Sequence, residues 1–69
     1  MHNRVYRLRL TRHGTVRYVA EAHDTRDSAL LAACAELSKG GIDDLWIEDS
    51  DHNRIAFTEI QEWCRARGA

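Results

Sequence analysis

Apolar and polar residues alternate with period two from residue 4 to residue 10, Arg-Val-Tyr-Arg-Leu-Arg-Leu. Successive side chains of an extended strand leave opposite faces, so Tyr6, Leu8 and Leu10 share one face while Val5, Arg7 and Arg9 share the other. A second alternating run covers residues 15 to 22 and puts Val16, Tyr18, Ala20 and Ala22 inward, with Arg17, Val19 and Glu21 outward. Loop length decides how the two strands pair. A two-residue loop sets Leu10 opposite Arg17 and mixes the faces; a three-residue loop, Arg12-His13-Gly14, sets Leu10 opposite Val16 and Leu8 opposite Tyr18. The longer loop is therefore the expectation, with Gly14 as the left-handed residue that such a bulged hairpin uses.

Beyond residue 24 the period becomes that of a helix. Leu30, Ala33, Cys34 and Leu37 recur at i, i+3, i+4 and i+7, which gathers them on one stripe. Asp24 or Thr25 offers an N-cap, Asp27 suits the first turn, and Gly40-Gly41 ends the run, so a helix is predicted over 25 to 39. Leu31 falls off the stripe and is expected to be partly exposed. A second hairpin follows, with Leu45 and Ile47 inward, a polar turn from Asp49 to Asn53, then Ile55 and Phe57 inward. Setting Ile47 opposite Ile55 also sets Glu48 opposite Arg54 and Trp46 opposite Ala56 on the outer side, so an opposite-charge pair supports the register. Thr58 and Gln61 have capping-box spacing before a short helix carrying Ile60, Trp63, Cys64 and Arg67 on one stripe.

The pattern predicts one α+β domain over 1–69 with element order ββαββα. A right-handed crossover places the third strand beside the first, giving a four-stranded antiparallel sheet of order 2-1-3-4. The main helix covers one face, and a short C-terminal helix follows the last strand. At 69 residues folding buries only roughly 60% of the unfolded chain's surface, so self-association is a natural route to added stability.

Charge changes this picture. The first twenty residues hold Arg4, Arg7, Arg9, Arg12 and Arg17 with no acid; the remainder holds five basic residues against eleven acids, for a net of −1. Such a division means either a basic surface that meets an anion or a basic hairpin paired against the chain's own acidic part. The start of the chain lacks the apolar core of a signal peptide. No apolar run approaches the roughly 20 residues needed to cross a bilayer. A cytoplasmic location without membrane contact is the expectation, and in a reducing compartment Cys34 and Cys64 are expected as buried thiols rather than a disulfide.

Catalytic and metal signatures are weak. Asp49-Ser50-Asp51-His52-Asn53 begins like a calcium loop, but Arg54 and Ile60 stand where such a loop needs its glycine and its bidentate glutamate, so a polar turn is the better reading. His2, His13, His23 and His52 show no ligand spacing; Asp24 is placed to orient His23, and His13 would meet His52 only if the two hairpin tips came together. Both cysteines lie on apolar stripes, which argues against a nucleophile. The chain is expected to be no enzyme, with no cofactor, no metal and no small-molecule substrate.

What remains is the outer face of the sheet, expected to carry Val5, Arg7, Arg9, Arg17, Val19 and Trp46. An aromatic among arginines has the composition of a protein interface. The same mixture can hold phosphates and stack bases. Because the sheet is expected to have helices on one side only, the expected function is a protein-interaction module, homodimeric through the open face or bound to another protein. A nucleic-acid-binding domain using the first hairpin and Trp46 is the alternative, although an overall pI near 6.4 is low for one. The element order and the stretch from Leu45 to Phe57 resemble small bacterial domains of hairpin, helix, hairpin plan. No activity is established for those, so the resemblance implies a fold and no site residue. Residues 5 to 40, two strands and then Asp24-Thr25 before an alanine-rich helix, also look like the N-terminal domain of HicB-type antitoxins.

Overall fold

Two strands, a helix, two further strands and a second helix follow one another in the computed structural model, which describes residues 4 to 67 without the side chains of Tyr18 and Ala20. They are β1 (Tyr6–Arg12), β2 (Thr15–His23), α1 (Arg26–Lys39), β3 (Ile42–Asp49), β4 (Arg54–Ile55) and α2 (Phe57–Ala66). The strands form one sheet in the order β2-β1-β3-β4, and every neighbouring pair is antiparallel. The α+β plan is thus the one that the alternation and the crossover argument predict. No helix among the described residues is long and apolar enough to cross a membrane.

The alternation on β1 and β3 builds the core. Leu8 pairs with Ile47 and Leu10 with Leu45, and all four are fully buried, or within one percent of it, together with Ala29, Leu30 and Ala33 of α1 and Ile60 of α2. Each large aliphatic side chain so buried contributes about 1.5–3 kcal/mol. Among the described residues six large side chains are fully buried, and none of these is aromatic. Leu31 is 49% exposed, as its place off the stripe requires.

Helix α1 begins where Thr25 accepts a hydrogen bond from the Ser28 amide at 3.1 Å. At its other end Gly40 returns its N–H to the Leu37 carbonyl. Arg12 adds a second cap from β1: its guanidinium donates to the Glu36 and Gly40 carbonyls at 3.3 Å each and to the Glu36 carboxylate at 3.2 Å. Lys39 and this guanidinium hold the Glu36 carboxyl below its ordinary value.

The first hairpin differs from the expected one. Arg12 pairs with Thr15 and Leu10 with Arg17, so the loop is the two residues His13 and Gly14. Both have positive φ, 51° and 77°, the backbone of a type I′ turn whose twist suits a right-handed strand pair. Consequently β2 turns its other face to the core: Val19 packs against the core cluster, while Val16 is 53% exposed and Ala22 is also exposed. Apolar residues occur on both faces of β2, so alternation there was a weak guide and turn geometry set the register. Between the pairs Arg9 with Tyr18 and Arg7 with Ala22 the register shifts, leaving Val19, Ala20 and Glu21 opposite Leu8 alone.

The second hairpin keeps the expected pairs of Ile47 with Ile55 and Glu48 with Arg54. Its turn is organised by Asp49, whose carboxylate accepts from the amides of Asp51 and Asn53 at 2.9 Å. Strand β4 ends at Ile55, so the expected pair of Trp46 with Ala56 does not form. Ala56 is the N-cap of α2, without a side-chain hydrogen bond. The expected capping box is absent, because Thr58 already lies inside the helix, and Phe57 packs on the core from the helix rather than from a strand.

The cysteines are the largest correction. Cys34 and Cys64 form a disulfide with Cα atoms 5.8 Å apart. Both stripes face the same core, which brings α1 and α2 side by side and sets the cysteines within bridging distance. A core this small gains much from such a link.

Leu30→Ala should destabilise by about 2 to 5 kcal/mol, and Leu37→Ala by less because Leu37 is only partly buried; urea midpoints check the order. Replacing both cysteines by serine should cost about 3 to 4 kcal/mol, since the bridge closes a loop thirty residues apart in sequence. Reduced wild type should unfold at the same urea concentration as that variant. Two titratable thiols in unreduced protein would show that the link does not form.

Candidate interaction face

With Leu8, Leu10, Leu45 and Ile47 turned toward the helices, Arg7, Arg9 and Thr11 of β1 and Asp44, Trp46 and Glu48 of β3 occupy the opposite face. The shortest extent of the domain is 17 Å. That is room for one sheet and one layer of helices about 10–12 Å across, so among the described residues this second face has no cover.

Glu48 organises the face. It pairs with Arg7 of β1 and Arg54 of β4, and Trp46, two residues earlier on β3, points the same way. The indole Nε1 of Trp46 donates to Glu48 Oε1 at 2.8 Å. Arg54 Nη2 reaches the same oxygen at 3.4 Å, and Arg9 Nε lies 3.8 Å from Oε2. The Arg54 guanidinium carbon is 5.1 Å from the centre of the Trp46 ring, within cation–π range. Exposed ion pairs contribute little singly, about 0–1 kcal/mol. Together these contacts fix the indole, which stands directly opposite Arg9 in the register. The hydrogen bond from Trp46, followed by that from Arg54 and the positive charge of Arg9, holds the Glu48 carboxyl below its ordinary value against an opposing contribution from partial burial.

At one end of the face a shallow cleft of about 380 Å³ is bounded by Val5, Arg7, Arg9, Glu48, Ser50 and His52. Val5 is tied there by its amide, which donates to Ser50 Oγ at 3.4 Å. Four of the six expected face residues, Val5, Arg7, Arg9 and Trp46, are therefore brought together. Arg17 and Val19 are not. The two-residue turn places both on the helix side of β2, with Arg17 opposite Leu10 and Val19 against the core. Glu48 and Arg54 were legible in the sequence as a register pair, but their hold on Trp46 was not drawn from it, although the period-two spacing of Trp46 and Glu48 carried the signal.

Much of the basic first hairpin is paired against the acidic remainder of the chain. Arg4 meets Asp51 at 2.9 Å, Arg9 meets Glu48 and Arg12 meets Glu36. Glu21 takes no part in this; it lies 4.0 Å from His23 Nε2. His23 is oriented by Ser28 Oγ at 3.0 Å rather than by Asp24. His13 lies against Gly41, where an added Cβ would fall 2.7 Å from its Nε2, while His52 borders the cleft at the other end of β1. The hairpin tips do not meet. His2 lies outside the described residues.

Among the described residues no three of His, Cys, Asp and Glu converge as metal ligands, and the disulfide occupies both cysteines. The face offers aromatic contact, hydrogen bonding and charges of both signs. No protein family's profile matches the chain, and neither the curated proteins nor the solved structures include a detectable relative.

A pH titration checks the central cluster. Glu48 should ionise with a midpoint below its ordinary value of 4.5, and Trp46→Phe, which removes the indole donor, should raise that midpoint. A depressed carboxyl stabilises the fold fully above its unfolded pKa and loses that contribution as pH falls through the folded one. The gap in stability between wild type and Trp46→Phe should therefore close as the pH falls below the ordinary carboxyl value of 4.5. Equal midpoints in the two proteins would contradict the hub.

Proposed function

We propose that the chain is a non-enzymatic interaction module that docks a second copy of itself through the open sheet face, with Trp46 as the anchor. The observation that carries this reading is an indole held in place by Glu48 and Arg54 on a face that neither helix covers. A fixed aromatic loses little conformational entropy on binding and offers a large contact area. Arg7, Arg9 and Arg54 stand beside Asp44 and Glu48 on the same face, so a second copy can set guanidinium against carboxylate.

A nucleic-acid partner is less well supported. Glu48 occupies Arg9 and Arg54, two of the guanidiniums that phosphates would need, and it places a carboxylate in the middle of the path. If Arg7 and Arg9 did hold phosphates, affinity would fall steeply with salt.

Sedimentation over a range of concentrations tests the proposal. Trp46→Ala should shift a wild-type dimer toward monomer by about 2 kcal/mol or more in association free energy, with circular dichroism confirming that the variant is folded. A wild type that stays monomeric yet binds a mixed oligonucleotide pool with strong salt dependence would replace this reading with the nucleic-acid one. A monomer that binds neither would leave a solvated sheet face.

A further inference from the structure

Strand β2 forms a long edge of the sheet. Its nine residues, Thr15–His23, pair with β1 on one side and with no described strand on the other, whereas the opposite edge, β4, is two residues long. In a two-residue hairpin the residues flanking the turn exchange both hydrogen bonds, so Arg12 and Thr15 bond to each other and the next amide, that of Val16, points outward. Proline and lysine, which commonly protect such an edge, are both absent from β2. Val16 is more than half exposed, and Glu21 is 80% exposed, its carboxylate 4.0 Å from His23 Nε2.

We infer that β2 pairs antiparallel with β2 of a second copy about a two-fold axis at Val19, joining two four-stranded sheets into one of eight strands. The register argues for it. An axis at Val19, the middle of the strand, is the one that overlaps all nine residues, and it sets Arg17 opposite Glu21 of the second copy, twice by symmetry. These are the only Arg or Lys and the only acid in β2, and every other antiparallel register separates them. Both belong to the helix side of the sheet: Arg17 pairs with Leu10, and Glu21 lies beside His23, the partner of Tyr6. On the outer side the same register covers Val16 with Ala22 of the second copy. The shift opposite Leu8 lies at the axis, so the ladder between copies runs mainly through the flanking residues. Because this two-fold axis is perpendicular to the sheet, the open faces end side by side and remain free. The contact goes beyond the face association proposed above, and the two together would give a tetramer if their two-fold axes intersect.

Charge exchange tests the edge. Arg17→Glu, Glu21→Arg and the double variant Arg17→Glu/Glu21→Arg are compared by sedimentation, each with Trp46 and with Trp46→Ala. Either single reversal replaces two attractive pairs by two repulsive ones and should raise the dissociation constant of the edge contact at least about tenfold. The double variant restores opposite charges and should return it toward wild type. Both positions are exposed, and circular dichroism confirms folding. Association that is indifferent to the single reversals, or a double variant as weak as the singles, overturns the inference. Loss of association on Trp46→Ala without any response to charge keeps the face and removes the edge; the converse keeps the edge and removes the face. A wild type that is monomeric at all concentrations overturns both.

Discussion

Leu30 of α1 and Ile60 of α2 share one core with Leu8, Leu10, Leu45 and Ile47 of the two central strands, and the rest of the domain is arranged around that contact. With so few large side chains available, the chain covers one face of its sheet and no more. Both helices must lie on that side, and the disulfide then joins them where their stripes meet. The same limit leaves Trp46, Arg7 and Arg9 on an uncovered face. The open face is thus a consequence of how few large apolar side chains the core contains.

Charge placement follows the topology. Bringing β3 beside β1 lays an acidic strand along a basic one, so Arg9 finds Glu48 and Arg4 finds Asp51 in the turn after β3, while the packing of α1 brings Glu36 to Arg12. The division of charge between the two parts of the sequence is largely a device for internal pairing. Arg12 goes furthest, because it also closes the C-terminal end of α1. Arg17 stands apart on the free edge of the sheet, where no described acid pairs with it, and that is what gives the edge strand a chemistry of its own.

The central strands, α1 and the second hairpin were legible in the sequence because several signals agreed. Leu45 and Ile47 alternate, Glu48 opposes Arg54, and Asp49 to Asn53 is rich in turn residues. Strand β2 was not legible in the same way, since Val16, Val19 and Ala22 spread apolar surface over both faces and the choice fell to the backbone of His13. A non-glycine residue at positive φ is uncommon, and that choice carried Arg17 and Val19 off the expected face. The disulfide was missed for a different reason. Two cysteines thirty residues apart carry no local sign of contact, and only the packing of both helices on one core brings them together. Ala56 capping α2 in place of Thr58 shows tertiary packing of Ile60 overriding a local capping signal.

The central claim is that the sheet has one packed and one open face, with Trp46 on the open one. Nuclear Overhauser contacts in the oxidised protein at low concentration test it directly. The methyl groups of Leu8, Leu10, Leu45 and Ile47 should show contacts to those of Leu30 and Ile60, while the Trp46 indole should show contacts to Arg54 and Arg9 and to no methyl of either helix. Contacts between the Trp46 ring and Leu30 or Ile60 would place the indole in the core and contradict the account.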